Sequence, residues 1–248
     1  MFSLCIPTMD RYDTFLSKNL PRYLSNPLIG EIIITDENGR DADKIVQNHN
    51  SPKLKVYKNE CRHGPFVNKL KAMSLAQHEW IAIIDSDNFA DDDYFVRAQD
   101  YLSSIEPTEW TILAPSFARP NFDFRHLEGK ILNKVSAVQL WNDFKTEQRN
   151  NFHVLMNTGN YIIRRNLIQN INLDREHDNI MMSPSCDVIF FNTLLFEQFD
   201  LEIHVVPGMY YNHVVHPGSI YTLTHQMYAN FNAYVHQRFH DTLSKALM

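Results

Sequence analysis

Residues 80–88, Trp80-Ile81-Ala82-Ile83-Ile84-Asp85-Ser86-Asp87-Asn88, decide how the rest of the chain is read. Five apolar residues, three of them isoleucine, are too few for a free-standing helix and read as a strand buried on both faces. The run delivers Asp85 and Asp87 to the carboxyl end of that strand, where open α/β sheets bind their ligands. Two carboxylates one residue apart repel each other unless a divalent cation or another positive charge sits between them. Acid-Ser-acid at a strand end is the pattern of a hard-cation site that holds a diphosphate. The same letters describe a solvated acidic turn, because Asp and Asn are ordinary turn residues and Asp91, Asp92 and Asp93 follow as a helix start. Nothing within the stretch itself separates the two readings.

A chain of 248 residues with 44% hydrophobic and 12% aromatic content can fill one core near the upper size limit of a domain. The formal charge of −6 supplies no basic field for a nucleic-acid backbone, so nucleic acid is not an expected partner. Cys5, Cys61 and Cys186 are odd in number and far apart, which fits neither a disulfide framework nor a zinc cluster. A reducing, cytoplasmic setting is expected. The opening Met-Phe-Ser-Leu-Cys-Ile-Pro has no basic flank or long apolar core, and no eighteen apolar residues run together. Neither a signal peptide nor a membrane span is expected. The seven glycines are never closer than nine positions, which rules out G-x-G-x-x-G, Walker and G-x-S-x-G motifs. Any nucleotide phosphate must then be held by metal and side chains. No motif speaks to oligomeric state.

Outward from the acidic stretch, strand and helix alternate four times. Strands are predicted at residues 2–6, 31–35 and 53–57. A helix after Asp13 runs to residue 24, Asp41 caps a second through residue 48, and Pro65 opens a third whose Phe66, Leu70, Met73 and Leu75 recur at helical spacing. This alternation predicts an α/β architecture with a mainly parallel sheet and helices on both faces. Beyond Asp91 come a helix to residue 104, a strand at 111–113, a helix over 133–147, a strand at 160–163, a helix over 187–199 and a strand at 202–206. In the tail, Met227, Phe231, Tyr234, Val235 and Phe239 form an apolar stripe expected to pack on the body, with His225, His236 and His240 as surface or partly buried residues.

In this order the residues resemble the family 2 glycosyltransferases with the GT-A fold. Pro7-Thr8-Met9-Asp10-Arg11-Tyr12-Asp13 is similar to the family's first nucleotide-binding loop, and Asp36 to the acid facing the nucleotide base. His63-Gly64-Pro65-Phe66-Val67-Asn68-Lys69 resembles the loop before the metal motif, and Asp85-Ser86-Asp87 the DxD motif itself. Thr158-Gly159-Asn160 with Arg164-Arg165 is similar to the acceptor-side strand. Cys186-Asp187 stands where the family usually has Glu-Asp with the Asp as base, and His213-Val-Val-His216-Pro217-Gly218-Ser219 resembles the late histidine and diphosphate segment. The chain departs from the family pattern at Asp36-Glu37-Asn38-Gly39, where Asp-Asp-Gly-Ser is common, and at Cys186.

The resemblance implies a Rossmann-like GT-A sheet with a C-terminal helical extension. Residues 1–220 would be the transferase domain, 1–105 its nucleotide-sugar half and 106–220 its acceptor half, with 221–248 packed on the body. The implied reaction moves a sugar from a nucleoside-diphosphate sugar, UDP-sugar first, to a hydroxyl of a carbohydrate acceptor. Thr8, Arg11, Asp36, Asn68, Lys69, Asp85, Ser86 and Ser219 are the implied donor-binding residues. Asp85, Asp87 and His216 are the implied ligands of Mn²⁺ or Mg²⁺, the histidine favouring Mn²⁺. Asp187 at a helix N-terminus is the candidate base, with inversion at the anomeric carbon. Each has a plainer reading: Asp187 as a helix cap, His216 as a turn residue before Pro217, Lys69 as a solvated helix lysine, and Arg11 as a partner of Asp13. The aromatic and polar run from Phe117 through Arg119, Phe122 and His126, with Trp141 beyond, is expected to wall the acceptor or to be core packing. The enzymatic rival is a DxD phosphohydrolase, which carries that motif on its first strand, whereas three strands precede it here. A nucleotide- or sugar-binding module without turnover is the other alternative.

Overall fold

A computed structural model describes residues 1–145, 154, 159–173, 187–224 and 226–245, without the side chains of 141–145. Thr158, Trp141's side chain, Cys186 and His225, all named above, lie outside the described residues.

One ten-stranded sheet organises the chain. Its first half comprises β1 (Phe2–Thr8), β2 (Ile29–Asp36), β3 (Leu54–Lys58) and β4 (Trp80–Ile83). All pairings among them are parallel, in the order β3-β2-β1-β4. Helices α1 (Ser17–Ser25), α2 (Arg40–Asn48) and α3 (Pro65–Ser74) connect them. The isoleucine run behaves as its composition predicts, with alternate residues sent to opposite faces. Cys5, Ile33, Ile81 and Ile83 join the core under α3, while Leu4, Ile6, Ile32, Ile34, Ala82 and Ile84 join the core under α1 and α2.

The second half departs from a mainly parallel arrangement. It contains β5 (Phe89–Ala90), β6 (Thr111–Arg119), β7 (Phe122–Asp123), β8 (Ile131–Leu132), β9 (Ile162–Arg164) and β10 (Glu202–Asn212). β9 inserts antiparallel between β4 and β6; β6 and β10 pair parallel, and β5, β7 and β8 join antiparallel. β10 also outruns its predicted end at residue 206, because a register shift between Val206 and Tyr210 absorbs Pro207 and Gly208 without ending the strand.

The remaining helices are α4 (Asp92–Ser104), α5 (Lys134–Lys145), α6 (Arg165–Asn170), α7 (Asp187–Gln198), α8 (Ile220–Thr224) and α9 (Ala229–Lys245). Buried residues of α4 join the core shared with α1 and α2, and those of α7 and α9 join the core under α3. The tail stripe is shifted from its expected composition. Val235, Phe239 and Leu243 are buried, but Met227 is 77% exposed and Tyr234 39%. Phe239 meets Phe196 of α7 with ring centroids 6.2 Å apart, and Arg238 pairs with Glu197 at 2.8 Å. No helix among the described residues is long and apolar enough to cross a membrane.

Because Phe239 is fully buried against α7, Phe239→Ala should lower unfolding stability by about 3–5 kcal/mol. Urea denaturation followed by far-UV circular dichroism should show one transition at a lower midpoint; a separate early transition would mean that α9 melts independently of the body.

Candidate functional site

β1 lies between β2 and β4, so the connections leaving its neighbours pass to different sides and open a crevice at the strands' carboxyl ends. Asp85 stands two residues beyond β4. Its backbone N–H donates to Asn160 Oδ1 at 2.7 Å, and its carboxylate accepts from Asn160 Nδ2 at 3.3 Å. Asn160 is itself fixed from two sides: Tyr94 of α4 donates to its carbonyl at 3.1 Å, and its amide contacts the Tyr211 hydroxyl at 3.3 Å. The antiparallel β9 is what brings this residue to the exit of β4.

Lys69 of α3 reaches the same point from beneath. Its Nζ lies 3.0 Å from Asp85 Oδ1 and 2.6 Å from Asp187 Oδ2, with 14% of the side chain exposed. Burial opposes the lysine's charge, but Asp187 first and Asp85 next outweigh it and hold the ammonium well above its ordinary range. The solvated-lysine reading is therefore corrected: a long helical side chain that looks amphipathic in sequence ends between two acids. Asp187 opens α7, and Gly159 lets that helix close in, since a Cβ there would sit 2.7 Å from Val188 Cγ2.

Asp87 is met by the late loop. His216 Nε2 is 3.1 Å from Asp87 Oδ2, and Arg11 Nε is 3.9 Å from the same oxygen. Arg11 also donates through Nη2 to the Gly218 carbonyl at 2.7 Å, so it ties the first loop to the last rather than pairing with Asp13, which takes Lys44. Val214 N–H donates to Asn88 Oδ1 at 3.0 Å, and the Ser219 N–H closes a turn onto His216 O at 3.0 Å. The repulsion between the paired acids is thus relieved by the chain's own cations, Lys69 for Asp85 and Arg11 for Asp87, which His216 also contacts. Among the described residues no group of three or more His, Cys, Asp or Glu side chains is poised around a metal position.

Lys69, Asp85, Asp87, Asp187, Arg11 and His216 are brought together, with Ser86 buried in the acidic loop and Ser219 at the late turn. Thr8, Asp36 and Asn68 are buried and engaged in holding loops. Thr8 donates to Asp41 at 2.5 Å, and Asn68 bonds both Thr35 and Asn59. Asp36 accepts from the Ala42 and Asn38 N–H groups at 2.8 and 3.3 Å, while burial pushes its carboxyl upward. The expected cap Asp41 instead accepts from Arg11 N, Tyr12 N and the Thr8 hydroxyl, and the α2 N-cap is Gly39 at φ 77°. Glu37, noted above only as part of a departure from the family pattern, accepts from the His63 and Gly64 N–H groups at 2.8 and 3.2 Å. Asn88 and Asn160 lie within stretches that were read, but neither carried an expected role of its own.

Phe122 stacks on Phe124 at 6.3 Å, and Arg125 lies 4.5 Å above the Phe117 ring. These groups line β6 and β7 beside the crevice.

A mixed α/β sheet with helices on both faces and this strand order has the GT-A fold. The profile of Glycosyl transferase family 2 matches residues 3–171, and the chain belongs to that family. Solved structures similar in fold include S. aureus TarS 1-349, at 16% identity and a TM-score of 0.63, covering 98% of this chain and 70% of that one. The same S. aureus protein in complex with UDP-GlcNAc gives 15% identity and 0.62 over 98% and 71% of the two chains, and in complex with UDP 14% and 0.57 over 98% and 70%. No curated protein matches the sequence.

Lys69→Met should leave two carboxylates facing each other with no cation between them. The loss in unfolding free energy should be about 2–3 kcal/mol, at the low end for broken buried pairs because 26% of the Asp85 side chain stays in water. Adding Asp187→Asn should restore part of it; additive losses in a denaturation cycle would refute the coupling. Gly159→Ala should cut turnover more than tenfold while leaving UDP affinity within twofold, as measured by steady-state kinetics and calorimetry.

Proposed function

We propose that the chain transfers a sugar from a UDP-sugar to a hydroxyl of a carbohydrate acceptor, with inversion and with Asp187 as the base. The observation carrying this reading is Lys69, which gathers the candidate base and the first acid of the DxD pair into one cluster, with the Asp87–His216 pair held beside it. Family membership sets the phosphohydrolase aside. The UDP and UDP-GlcNAc complexes of TarS support a uridine nucleotide as donor. In this reading residues 1–105 hold the donor, 106–220 hold the acceptor, and 221–248 buttress the body.

The residues fit a divalent cation. Adjacent ligand atoms about 2.1 Å from an octahedral ion lie about 3 Å apart. Asp87 Oδ2 and His216 Nε2 are already 3.1 Å apart. A site with one carboxylate and one imidazole leaves the other positions for diphosphate and water, which is how Mg²⁺ and Mn²⁺ bind such substrates. The histidine favours Mn²⁺. A cation bound there would offset the charge growing on the departing diphosphate.

The protein's own groups do the rest. Arg11 and Lys69 bring positive charge to the diphosphate and to the acids around it. Asp187 begins α7 with Lys69 2.6 Å from its Oδ2, and its carboxylate accepts the acceptor's proton as the acceptor oxygen attacks. A single base on the face opposite the leaving group gives in-line displacement. Asn160 keeps Asp85 aimed at the donor by bonding both its backbone and its carboxylate.

Asp187→Asn should lower kcat by about 10²–10⁴-fold with UDP binding retained within threefold, whereas a mere cap would leave both unchanged. In a thermal-shift panel, UDP with Mn²⁺ at a hundred times Kd should add about 2.7 kcal/mol of stability, and GDP or dTDP much less. His216→Ala should remove the Mn²⁺-dependent part of that shift; an undiminished Mn²⁺ effect would exclude His216 as ligand.

A further inference from the structure

His213 follows β10, and the donor and base machinery leaves it without a task. It is held rigidly. Its backbone N–H donates to Arg119 O at 2.8 Å, and its ring lies 5.3 Å from Phe122 and 6.5 Å from Tyr211. Asn121, between β6 and β7, places its amide Nδ2 3.2 Å from His213 O and 2.8 Å from His213 Nδ1. A backbone carbonyl can only accept, so the first contact requires the amide nitrogen to face the histidine. The atom beside Nδ1 is then an N–H donor, and Nδ1 must be the accepting nitrogen. The ring proton therefore resides on Nε2.

Burial keeps this imidazole below its ordinary range, with Asp85 and then Asp87 opposing, so the ring is neutral at pH 7. Its place is fixed by contacts: the Tyr211 ring 6.5 Å away bonds Asn160 through its hydroxyl, and Asn160 in turn holds Asp85. Its Nε2–H has no hydrogen-bond partner among the described residues, and Val214 beside it is pinned to Asn88 of the acidic loop. An uncommitted donor thus stands beside the acidic loop, three residues before His216, which contacts Asp87.

We propose that His213 reads the donor sugar: Asn121 locks the imidazole as its Nε2–H tautomer, and that N–H donates to a hydroxyl or acyl oxygen of the sugar. This rests on the UDP-sugar reading and names the residue that distinguishes a UDP-sugar from UDP alone.

Two measurements test it. Long-range ¹H–¹⁵N NMR of the histidines should show the Nε2–H form for His213 and the Nδ1–H form in Asn121→Asp, whose carboxylate only accepts; an Nδ1–H or doubly protonated ring in the wild type at pH 7.5 overturns the lock. Calorimetry with Mn²⁺ should compare UDP with the tightest binder among UDP-GlcNAc, UDP-glucose and UDP-galactose. His213→Ala should reduce the ratio Kd(UDP)/Kd(UDP-sugar) about tenfold, the equivalent of one hydrogen bond of about 1.4 kcal/mol, with Kd for UDP unchanged. His213→Gln, whose amide N–H reaches the Nε2 position, should restore most of the ratio. An unchanged ratio in His213→Ala overturns the proposal. Wild-type protein that binds neither UDP nor any of the sugars refutes the donor assignment instead, while the tautomer measurement still decides the lock.

Discussion

Lys69 places a full positive charge between Asp85 and Asp187, and the rest of the site is arranged around that ion triad. Desolvating three charged groups is costly, and apolar replacements of equal volume often stabilise a fold more. What the triad contributes is register. Its members come from α3, from the exit of β4 and from the head of α7, so the lysine can satisfy both acids only when these three elements are correctly seated.

Around this triad the interior polar groups hold the loops in place. Asp36 caps the amides ahead of α2, which frees Asp41 to gather the amides and hydroxyl of the first loop. Glu37 does the same for the loop entering α3. Buried carboxylates accepting backbone N–H groups are well satisfied, and they hold Arg11 and Lys69 at the crevice. Loss of the glycine-rich cradle seen in other nucleotide folds is thereby compensated by side-chain carboxylates that shape the backbone.

The sequence pattern was most legible where structure follows local periodicity. The buried strand ending at Asp85, the helix behind Pro65 and the helix beginning at Asp187 were all readable, because apolar spacing and N-terminal signals act over a few residues. The antiparallel β9 was not, since three strand residues carry no sign of which neighbours they will meet. The contacts of Asn160, Asn88 and Asn121 were invisible for the same reason: an asparagine is an ordinary loop residue until tertiary contacts aim its amide. Asp36 and Asp41 exchanged expected tasks, because residue type alone does not tell which of two nearby acids faces the free amides.

By itself, then, the chain determined an α/β sheet with two acids at a strand tip, since burying a short isoleucine run leaves its polar end at the sheet's edge. Only tertiary structure decided which charges those acids meet. Asp85 takes Lys69 and Asn160, and Asp87 takes His216 and Arg11, across separations of up to 129 residues that no local pattern encodes. Electrostatic partners are chosen by proximity in the packed core, where the low dielectric makes an unpaired charge costly and a paired one specific.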